Sequence, residues 1–176
     1  GAAHAADGYA RASGKVGVCI ATSGPGATNL VTGLATAFMD SVPVVAIIGQ
    51  VETSLLGRDA FQEVDIVGIT MPITKHNFQI KDIKKLAQTI RLAFKIAKSG
   101  RQGPVLIDIP RDILNAEINF DAVPATMING SNVYSNYGEC EKAVAEAVEM
   151  INKAKKPVVV VGGGVNSAGA SAEVKA

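Results

Sequence analysis

The sequence predicts an α/β fold in which a parallel sheet is flanked by helices, and three observations support this prediction. Strand-like and helix-like segments alternate along the chain, with Gly or Pro at their boundaries. The strand candidates are continuous apolar runs such as "VPVVAIIG" (42–49), which are typical of parallel strands covered on both faces. Of the 176 residues, 48% are apolar, which is enough for a packed core.

The first 110 residues contain two successive strand-helix-strand units. A helix-like pattern opens the chain and ends at Gly14, a residue suited to a helix C-cap. The first unit follows as a strand, a helix and a strand at 16–22, 26–41 and 42–49. After a polar loop, the second unit has a short strand, a helix and a strand at 73–78, 82–99 and 103–110.

A change in composition divides the chain into two parts. Residues 116–138 have no sustained period and contain several Gly, Pro, Asn and Ser residues, so they are predicted to be a linker. Residues 1–115 then form one domain, and residues 139–176 begin a second α/β domain. In this second part we expect an amphipathic helix at 139–155, followed by a strand and a glycine turn in "PVVVVGGGVNSAG" (157–169).

Charge and cysteine content narrow the classes of function. The 17 Lys and Arg residues nearly balance the 16 Asp and Glu residues, and a net charge of +1 does not favour nucleic acid or an anionic membrane as a partner. Cys19 and Cys140 fit no metal or redox spacing. No apolar run approaches the roughly 20 residues of a membrane span. A cytoplasmic location is therefore predicted.

The glycine-rich stretch "TSGPGATNL" (22–30) separates the first strand from the next helix. A phosphate-binding P-loop requires a Lys that this stretch lacks. The dinucleotide-binding fingerprint also fails, because Asn29 stands where Gly or Ala is required. Pro25 and its flanking glycines allow a sharp turn at the carboxyl end of a strand, where α/β sheets place ligands. A plain tight turn and a turn that lines a ligand pocket both remain open from these residues.

Four stretches carry a resemblance to a known family: residues 1–51, "GRDAFQEVD" (57–65), "ITKHN" (73–77) and "SGRQGPVLIDIPRD" (99–112). Over nearly its whole length the chain resembles catalytic subunits of acetohydroxyacid synthase, also called acetolactate synthase, a thiamine diphosphate-dependent family. The resemblance implies that residues 1–115 hold the aminopyrimidine ring of thiamine diphosphate and that the remainder begins a central, FAD-binding domain. It implies an enzyme that decarboxylates pyruvate and condenses the two-carbon unit with a second 2-ketoacid, in the synthesis of isoleucine, valine and leucine.

The resemblance also implies roles for individual residues. Phe61 and Gln62 reach the active centre, where the Gln62 amide is a candidate hydrogen-bond donor to a substrate or intermediate oxygen. By the same resemblance, Pro25 and Asn29 line the pyrimidine end of the cofactor, and Arg58 and Lys75 lie at the substrate channel. The residues expected to contact FAD are Arg101, Gly162, Gly163 and Gly164. From the residues alone, Gln62 would be a solvent-facing residue at a helix start, and Arg101 a charge partner for a helix C-terminus.

The family's catalytic glutamate and its magnesium-binding Gly-Asp-Gly motif match no residue of this sequence, so no metal ligand is assigned here. The chain is therefore expected to be a fragment, its N-terminus cut, that on its own neither forms acetolactate nor binds thiamine diphosphate with Mg²⁺. The resemblance further implies a homodimer or homotetramer and a regulatory small subunit. Glu52 stands where many members have Pro, near the substrate channel, which bears on inhibitor response.

Two alternative functions remain at this point. Other thiamine diphosphate enzymes, such as glyoxylate carboligase, oxalyl-CoA decarboxylase and pyruvate oxidase, share the plan of strands and turns, although "GRDAFQE" and "ITKHN" favour the synthase. A noncatalytic nucleotide-binding module is the other alternative, and its support is the "VVVVGGG" turn (158–164).

Overall fold

The computed structural model of the protein describes residues 1–119 and 137–175, with side chains from Cys140 onward in the second stretch. The chain divides into two compact units, residues 1–131 and residues 132–176. The first unit contains a sheet, whereas the described residues of the second are helices and connecting segments. The predicted boundaries at 115 and 139 stay predictions, because most of the segment between them lies outside the described residues.

A four-stranded parallel sheet forms the centre of the first unit. Its strands are β1 (Gly17–Ala21), β2 (Val44–Gln50), β3 (His76–Gln79) and β4 (Val105–Pro110). Their order across the sheet is β1-β2-β4-β3, and Val105 of β4 lies opposite Val45 on one side and His76 on the other. All three strand pairs are parallel, as the continuous apolar runs predicted. The α/β fold class is confirmed.

Helices connect the strands and pack on the sheet. The α-helices of the first unit are α1 (Ala2–Ser13), α2 (Pro25–Thr28), α3 (Val31–Met39), α4 (Ile66–Thr70), α5 (Leu86–Lys98) and α6 (Arg111–Asn115), and short 3-10 helices lie at Thr53–Leu55, Met71–Ile73 and Ile83–Lys85. α1 ends at Gly14, whose left-handed φ of 68° and bond to the Ala10 carbonyl confirm the predicted cap. The predicted helix at 26–41 is two helices, α2 and α3, with a turn at Asn29 and Leu30 between them.

Two apolar clusters lie on opposite faces of the sheet. One contains Leu106 of β4 with residues of α1, α3 and α4, and the other contains Ile107 of β4 with residues of α5. The expectation that every strand is covered on both faces is wrong for β1, where Val18 and Ile20 are 44% and 70% exposed. The reason is that α5 packs on β2, β3 and β4, so that among the described residues this face of β1 is left uncovered.

The second unit contains the helices α7 (Tyr137–Lys153), α8 (Gly163–Ala168) and α9 (Ser171–Lys175) among its described residues. The helix predicted at 139–155 is confirmed, with its ends shifted by two residues. The strand predicted before the glycine turn is wrong: no strand forms there, and Val158 and Val160 are 88% and 93% exposed. A strand needs a neighbour to pair its backbone groups, and the described part of this unit offers no other strand.

Candidate functional site

The carboxyl ends of the strands bring together the segments that carry Pro25, Phe61 and Gln62. The turn after β1 begins at Thr22, the loop after β2 runs over residues 51–65, and α6 follows β4 directly. In a parallel sheet these ends share one edge, where α/β proteins bind ligands. This edge is called the carboxyl edge below, and the opposite one the amino edge.

The turn after β1 contacts the loop after β2 at Gly24. Gly24 has φ 59° and ψ −123°, a conformation that residues with a Cβ rarely adopt. A Cβ built on Gly24 would lie 2.7 Å from the carbonyl oxygen of Gln62 and 3.0 Å from its Cα. The missing side chain therefore lets the two backbones touch and sets the position of Gln62. Pro25 is the first residue of α2 and Asn29 follows its last, and both are exposed.

The loop after β2 is braced by the carboxylate of Glu63. Its oxygens accept hydrogen bonds from the backbone N–H groups of Gly57, Arg58 and Ala60, the last two at 3.2 Å. These bonds, with that from Gly57 the strongest influence, lower the pKa of Glu63. The N–H of Glu63 in turn donates to the Ala60 carbonyl at 2.9 Å. One side chain thus closes the loop on itself just beside Phe61 and Gln62.

Phe61 and Gln62 lie within this braced loop. Phe61 is 88% exposed, an uncommon position for a large apolar ring. Gln62 has a φ of 59°, a left-handed conformation that costs a non-glycine residue about 1–2 kcal/mol. Such strain concentrates at functional sites, which makes Gln62 a candidate site residue on structural grounds. The structure brings Gln62 against the Gly24 turn, and the catalytic roles of both residues stay predictions.

Two further polar side chains, which the sequence analysis missed, tie the loop to the sheet. Gln50 at the end of β2 donates from Nε2 to the Val64 carbonyl at 3.0 Å, and its Oε1 accepts from the N–H of Val51 at 3.0 Å. Asp112 in α6 accepts from the N–H of Thr53 at 3.0 Å, and hydrogen bonds from Thr53 lower the pKa of this carboxylate. The sequence did contain a feature that could have identified both residues: each is a polar residue at or just after the end of an apolar run that leads to the carboxyl edge.

The two residues predicted for a substrate channel lie at different edges of the sheet. Arg58 is exposed in the braced loop at the carboxyl edge. Lys75 precedes β3 and therefore lies at the amino edge, where its Nζ donates to the carbonyl oxygens of Ile96 and Ser99 at the end of α5. This cation suits the negative end of the helix dipole, and partial burial lowers its pKa. The structure does not bring Lys75 together with Gln62, and the channel roles stay predictions.

Arg101 also lies at the amino edge, two residues before the Gly-Pro pair that leads into β4. Its Nε donates to Ser41 Oγ at 2.8 Å, and its Nη2 donates to the carbonyl oxygens of Phe38 and Met39 at 3.3 and 3.1 Å. The guanidinium carbon is 5.8 Å from the centre of the Phe38 ring, within range of a cation–π contact. Arg101 is thus a charge partner for a helix C-terminus, as the residues alone suggested, but for that of α3 and not for that of α5, the helix that precedes it. Its role toward FAD stays a prediction.

The glycines predicted to approach FAD lie in the second unit. Gly162 is the N-cap of α8, and Gly163 and Gly164 are its first two residues. All three are exposed, and a Cβ built on any of them would meet no described atom within 4 Å. Packing within the described residues of this unit therefore does not require glycine at these positions.

The described residues, 1–119 and 137–175, contain neither a metal-binding cluster nor a membrane-spanning helix. No group of three or more His, Cys, Asp or Glu side chains in these ranges is arranged to hold a metal ion. No helix in the same ranges is both long enough and apolar enough to cross a membrane.

Two models of known protein families match segments of the chain. Residues 1–69 match the family model described as "Thiamine pyrophosphate enzyme, N-terminal TPP binding domain". Residues 144–176 match "Thiamine pyrophosphate enzyme, central domain". The chain belongs to the thiamine pyrophosphate enzyme family. The first match contains the whole contact between Gly24 and Gln62, so this contact lies in the part of the chain that corresponds to a thiamine pyrophosphate-binding domain.

Three proteins similar to this thiamine pyrophosphate enzyme chain carry the name acetolactate synthase or its large subunit. The acetolactate synthase of Arthrospira platensis is 55% identical over 99% of this chain and 30% of its own length. The acetolactate synthase large subunit of Corynebacterium glutamicum is 54% identical over 100% of this chain and 28% of its own length. The probable acetolactate synthase large subunit of Methanocaldococcus jannaschii is 52% identical over 98% of this chain and 29% of its own length. The chain therefore spans 28–30% of the length of these three relatives.

Proposed function

We propose that the protein acts as an acetolactate synthase, which decarboxylates pyruvate and joins the resulting two-carbon unit to a second 2-ketoacid. The products are 2-acetolactate when the acceptor is pyruvate and 2-aceto-2-hydroxybutyrate when it is 2-ketobutyrate, in the synthesis of branched-chain amino acids. The support is that three relatives with this name are 52–55% identical over 98–100% of the chain.

The contact between Gly24 and Gln62 is the structural observation that carries the proposal. It joins the turn after β1 to the loop after β2 at the carboxyl edge, within the part that matches a thiamine pyrophosphate-binding domain. Gln62 is held there in a left-handed conformation by a loop that Glu63 braces. A preorganised binding site requires polar groups that are fixed in position before the ligand binds. Gln62, strained and fixed beside the glycine backbone, meets this requirement.

The exposed groups at the carboxyl edge fit the aromatic ring of thiamine diphosphate. Phe61 offers an exposed apolar ring, Asn29 and Gln62 offer amides, and the turn at Gly24 has no side chain to obstruct the approach. When bound, thiamine diphosphate supplies the electron sink that decarboxylation of a 2-ketoacid requires. The described residues contain no cluster fit for Mg²⁺, so no step is assigned to that ion here. Mg²⁺ and FAD enter the proposal through the family resemblance.

In this proposal the residues of the chain bind and orient. The Gln62 amide donates a hydrogen bond to an oxygen of the substrate or of the intermediate, and Phe61 shields the reacting groups from water. Gly24 and Glu63 keep Gln62 in place. Arg58 lies in the same braced loop, where its positive charge attracts the carboxylate of a 2-ketoacid. A cytoplasmic location, a homodimer or homotetramer and a regulatory small subunit complete the proposal.

The proposal is tested on the protein expressed from its complete gene, with thiamine diphosphate, Mg²⁺ and FAD supplied. Acetolactate formation from pyruvate is compared for the wild type, Gln62→Ala and the control Gln88→Ala, which changes an exposed residue of α5. Alanine at position 62 keeps the Cα and Cβ atoms that face Gly24 and removes the rest of the side chain, including the amide. We expect kcat to fall about 100-fold in Gln62→Ala, with little change in thiamine diphosphate affinity, because a donor to developing charge is lost.

Each part of the proposal has its own contrary outcome. A wild type that releases CO2 from pyruvate without forming acetolactate, or that acts on oxalyl-CoA or glyoxylate, would move the assignment to another thiamine diphosphate enzyme. A wild type that binds a nucleotide but acts on no 2-ketoacid would favour a noncatalytic module. A normal kcat in Gln62→Ala would remove Gln62 from the site and leave the assignment of the enzyme intact.

A further inference from the structure

Gln50 is a buried amide at the point where β2 ends and the loop over residues 51–65 begins. It is 5% exposed. Its Nε2 donates to the Val64 carbonyl at 3.0 Å, and its Oε1 accepts from the N–H of Val51 at 3.0 Å. One side chain therefore contacts the backbone at both ends of the loop, where the chain leaves β2 and where it enters α4. Both contacts together require the donor and the acceptor of an amide.

The brace of Glu63 closes the loop on itself without reaching the sheet. Among the described residues, the N–H groups that donate to its carboxylate are those of Gly57, Arg58 and Ala60, and all three belong to the loop. The N–H of Glu63 also donates within the loop, to the Ala60 carbonyl. The brace thus gives the segment at 57–63 its shape, and other contacts have to give that segment its position on the sheet.

Two side chains of the carboxyl edge donate to or accept from the backbone of this loop, one near each end. Asp112 accepts from the N–H of Thr53 at 3.0 Å, near the start of the loop. Gln50 donates to the Val64 carbonyl, two residues after Gln62. Of these two, Gln50 acts at the end of the loop that carries the candidate site residue.

Val64 has two other contacts, and neither replaces the bond from Gln50. Its carbonyl also accepts from the N–H of Ile66 at 2.8 Å, which closes a turn within the same segment. Its side chain is partly buried against the apolar cluster with α1, α3 and α4. Apolar packing is non-directional, whereas a hydrogen bond of good geometry orients the peptide that accepts it. The peptide at Val64 in turn restricts the nearby backbone of Gln62, whose φ of 59° is left-handed.

We propose that Gln50 is a positioning residue, which fixes the returning end of the loop and thereby the place of Gln62 against Gly24. The Glu63 carboxylate gives the loop its shape, and Gln50 ties that shape to the end of β2. The backbone of Gln62 is then held before a ligand binds, as a preorganised hydrogen-bond donor requires. The inference concerns the loop, and it rests on the proposed function only where activity is measured.

Two substitutions separate the hydrogen bonds of Gln50 from its packing. Gln50→Met keeps the length of an unbranched side chain and removes both hydrogen bonds. Gln50→Asn keeps the amide but is one methylene shorter, so it does not join both ends of the loop. The matched control is Gln79→Met. Gln79 also ends its strand, β3, and its Nε2 donates at 3.1 Å to Asp108 of β4 instead of to the loop.

Hydrogen–deuterium exchange at one pH, on the protein expressed from its complete gene, tests the position of the loop. In Gln50→Met we expect the amides of Glu63 and Ile66 to exchange about tenfold faster than in wild type, because buried hydrogen bonds at the loop ends are lost. The amide of Thr53, which Asp112 holds, should change less.

The control Gln79→Met should leave exchange in the loop at the wild-type rate. If Gln50→Met does not fold, Gln50→Asn takes its place with the same expectation. Wild-type exchange at Glu63 and Ile66 in the Gln50 variant would overturn the inference. An equal increase at Thr53 and throughout α5 would overturn it too, because it would show a general loss of stability.

A double-mutant cycle tests whether the loop acts through Gln62. We expect kcat for acetolactate formation to fall about tenfold in Gln50→Met, with little change in thiamine diphosphate affinity, and to stay at the wild-type value in Gln79→Met. In a Gln62→Ala background, Gln50→Met should lower kcat no further, because the amide that it positions is already absent. Losses that simply add would show that Gln50 does not act through Gln62.

The two readouts separate this inference from the proposed function. If the wild type forms no acetolactate, the proposed function fails, and the exchange experiment still decides whether Gln50 fixes the loop. If exchange follows the expectation but kcat in Gln50→Met equals that of wild type, the part of the inference that links loop position to the active site is wrong.

Discussion

Replacing Gly24 by alanine tests whether contact between the two loops sets the candidate site. Two separate penalties are expected. Alanine at φ 59° and ψ −123° is in a strained region, which costs about 1–3 kcal/mol. Its Cβ would also lie 2.7 Å from the Gln62 carbonyl oxygen, a backbone atom, so the loop must shift at a cost of about 1–3 kcal/mol. Together, the two penalties should lower the free energy of unfolding of Gly24→Ala by about 2–6 kcal/mol relative to wild type.

Two other glycines separate these penalties. Gly57 has a φ of 73° and open space around its Cβ position. Gly57→Ala should therefore introduce backbone strain without a steric clash and lower the free energy of unfolding by about 1–2 kcal/mol. Gly8 lies inside α1 with open space and no positive φ, so Gly8→Ala should stabilise the protein by about 0.5–1 kcal/mol. Urea unfolding followed by circular dichroism gives all three values on one scale.

The order of the three variants is the decisive result. Gly24→Ala should be the least stable, and in the protein expressed from its complete gene it should lower acetolactate formation as well, because Gln62 is displaced. If Gly24→Ala lowers the free energy of unfolding by no more than Gly57→Ala does, the loop that carries Gln62 moves away from the new Cβ at little cost. The contact would then not be what positions Gln62.

Three further predictions concern other parts of the chain. Glu63→Gln should destabilise the protein near neutral pH. The difference between the unfolding free energies of variant and wild type, measured with urea, should become smaller as pH falls through the lowered pKa of Glu63. A difference that does not change with pH would contradict the bracing role. Arg101→Ala should weaken FAD retention and lower the thermal midpoint through loss of the α3 cap, whereas FAD retention equal to wild type would leave Arg101 a structural role alone. A thiol reagent at pH 8 should modify exposed Cys140 and spare Cys19, because burial protects Cys19 and raises its pKa to about 11; labelling of both in the native protein would contradict that burial.

Several features of the fold were accessible from short stretches of sequence because their causes are local. The αL cap of α1 requires a residue without a Cβ, and the sequence has Gly14 there. The continuous apolar runs of β2 and β4 require cover on both faces, which parallel strands receive. The sharp turn at Gly24 was also predicted, since glycine next to proline at the end of a strand restricts the backbone to few conformations.

The sequence by itself thus determined the α/β class, the four strands of the first unit in their order along the chain, and the turn that the candidate site is built on. Tertiary structure alone decided which polar atoms meet. Arg101 finds Ser41, 60 residues away, and Gln50 finds the Val64 carbonyl only because the loop returns to the sheet edge. The physical reason is that periodicity and backbone restriction act between near neighbours, whereas the partner of a long polar side chain depends on how distant segments pack. For the same reason the valines before Gly162 are apolar enough for a strand and form none, since a strand exists only beside another strand.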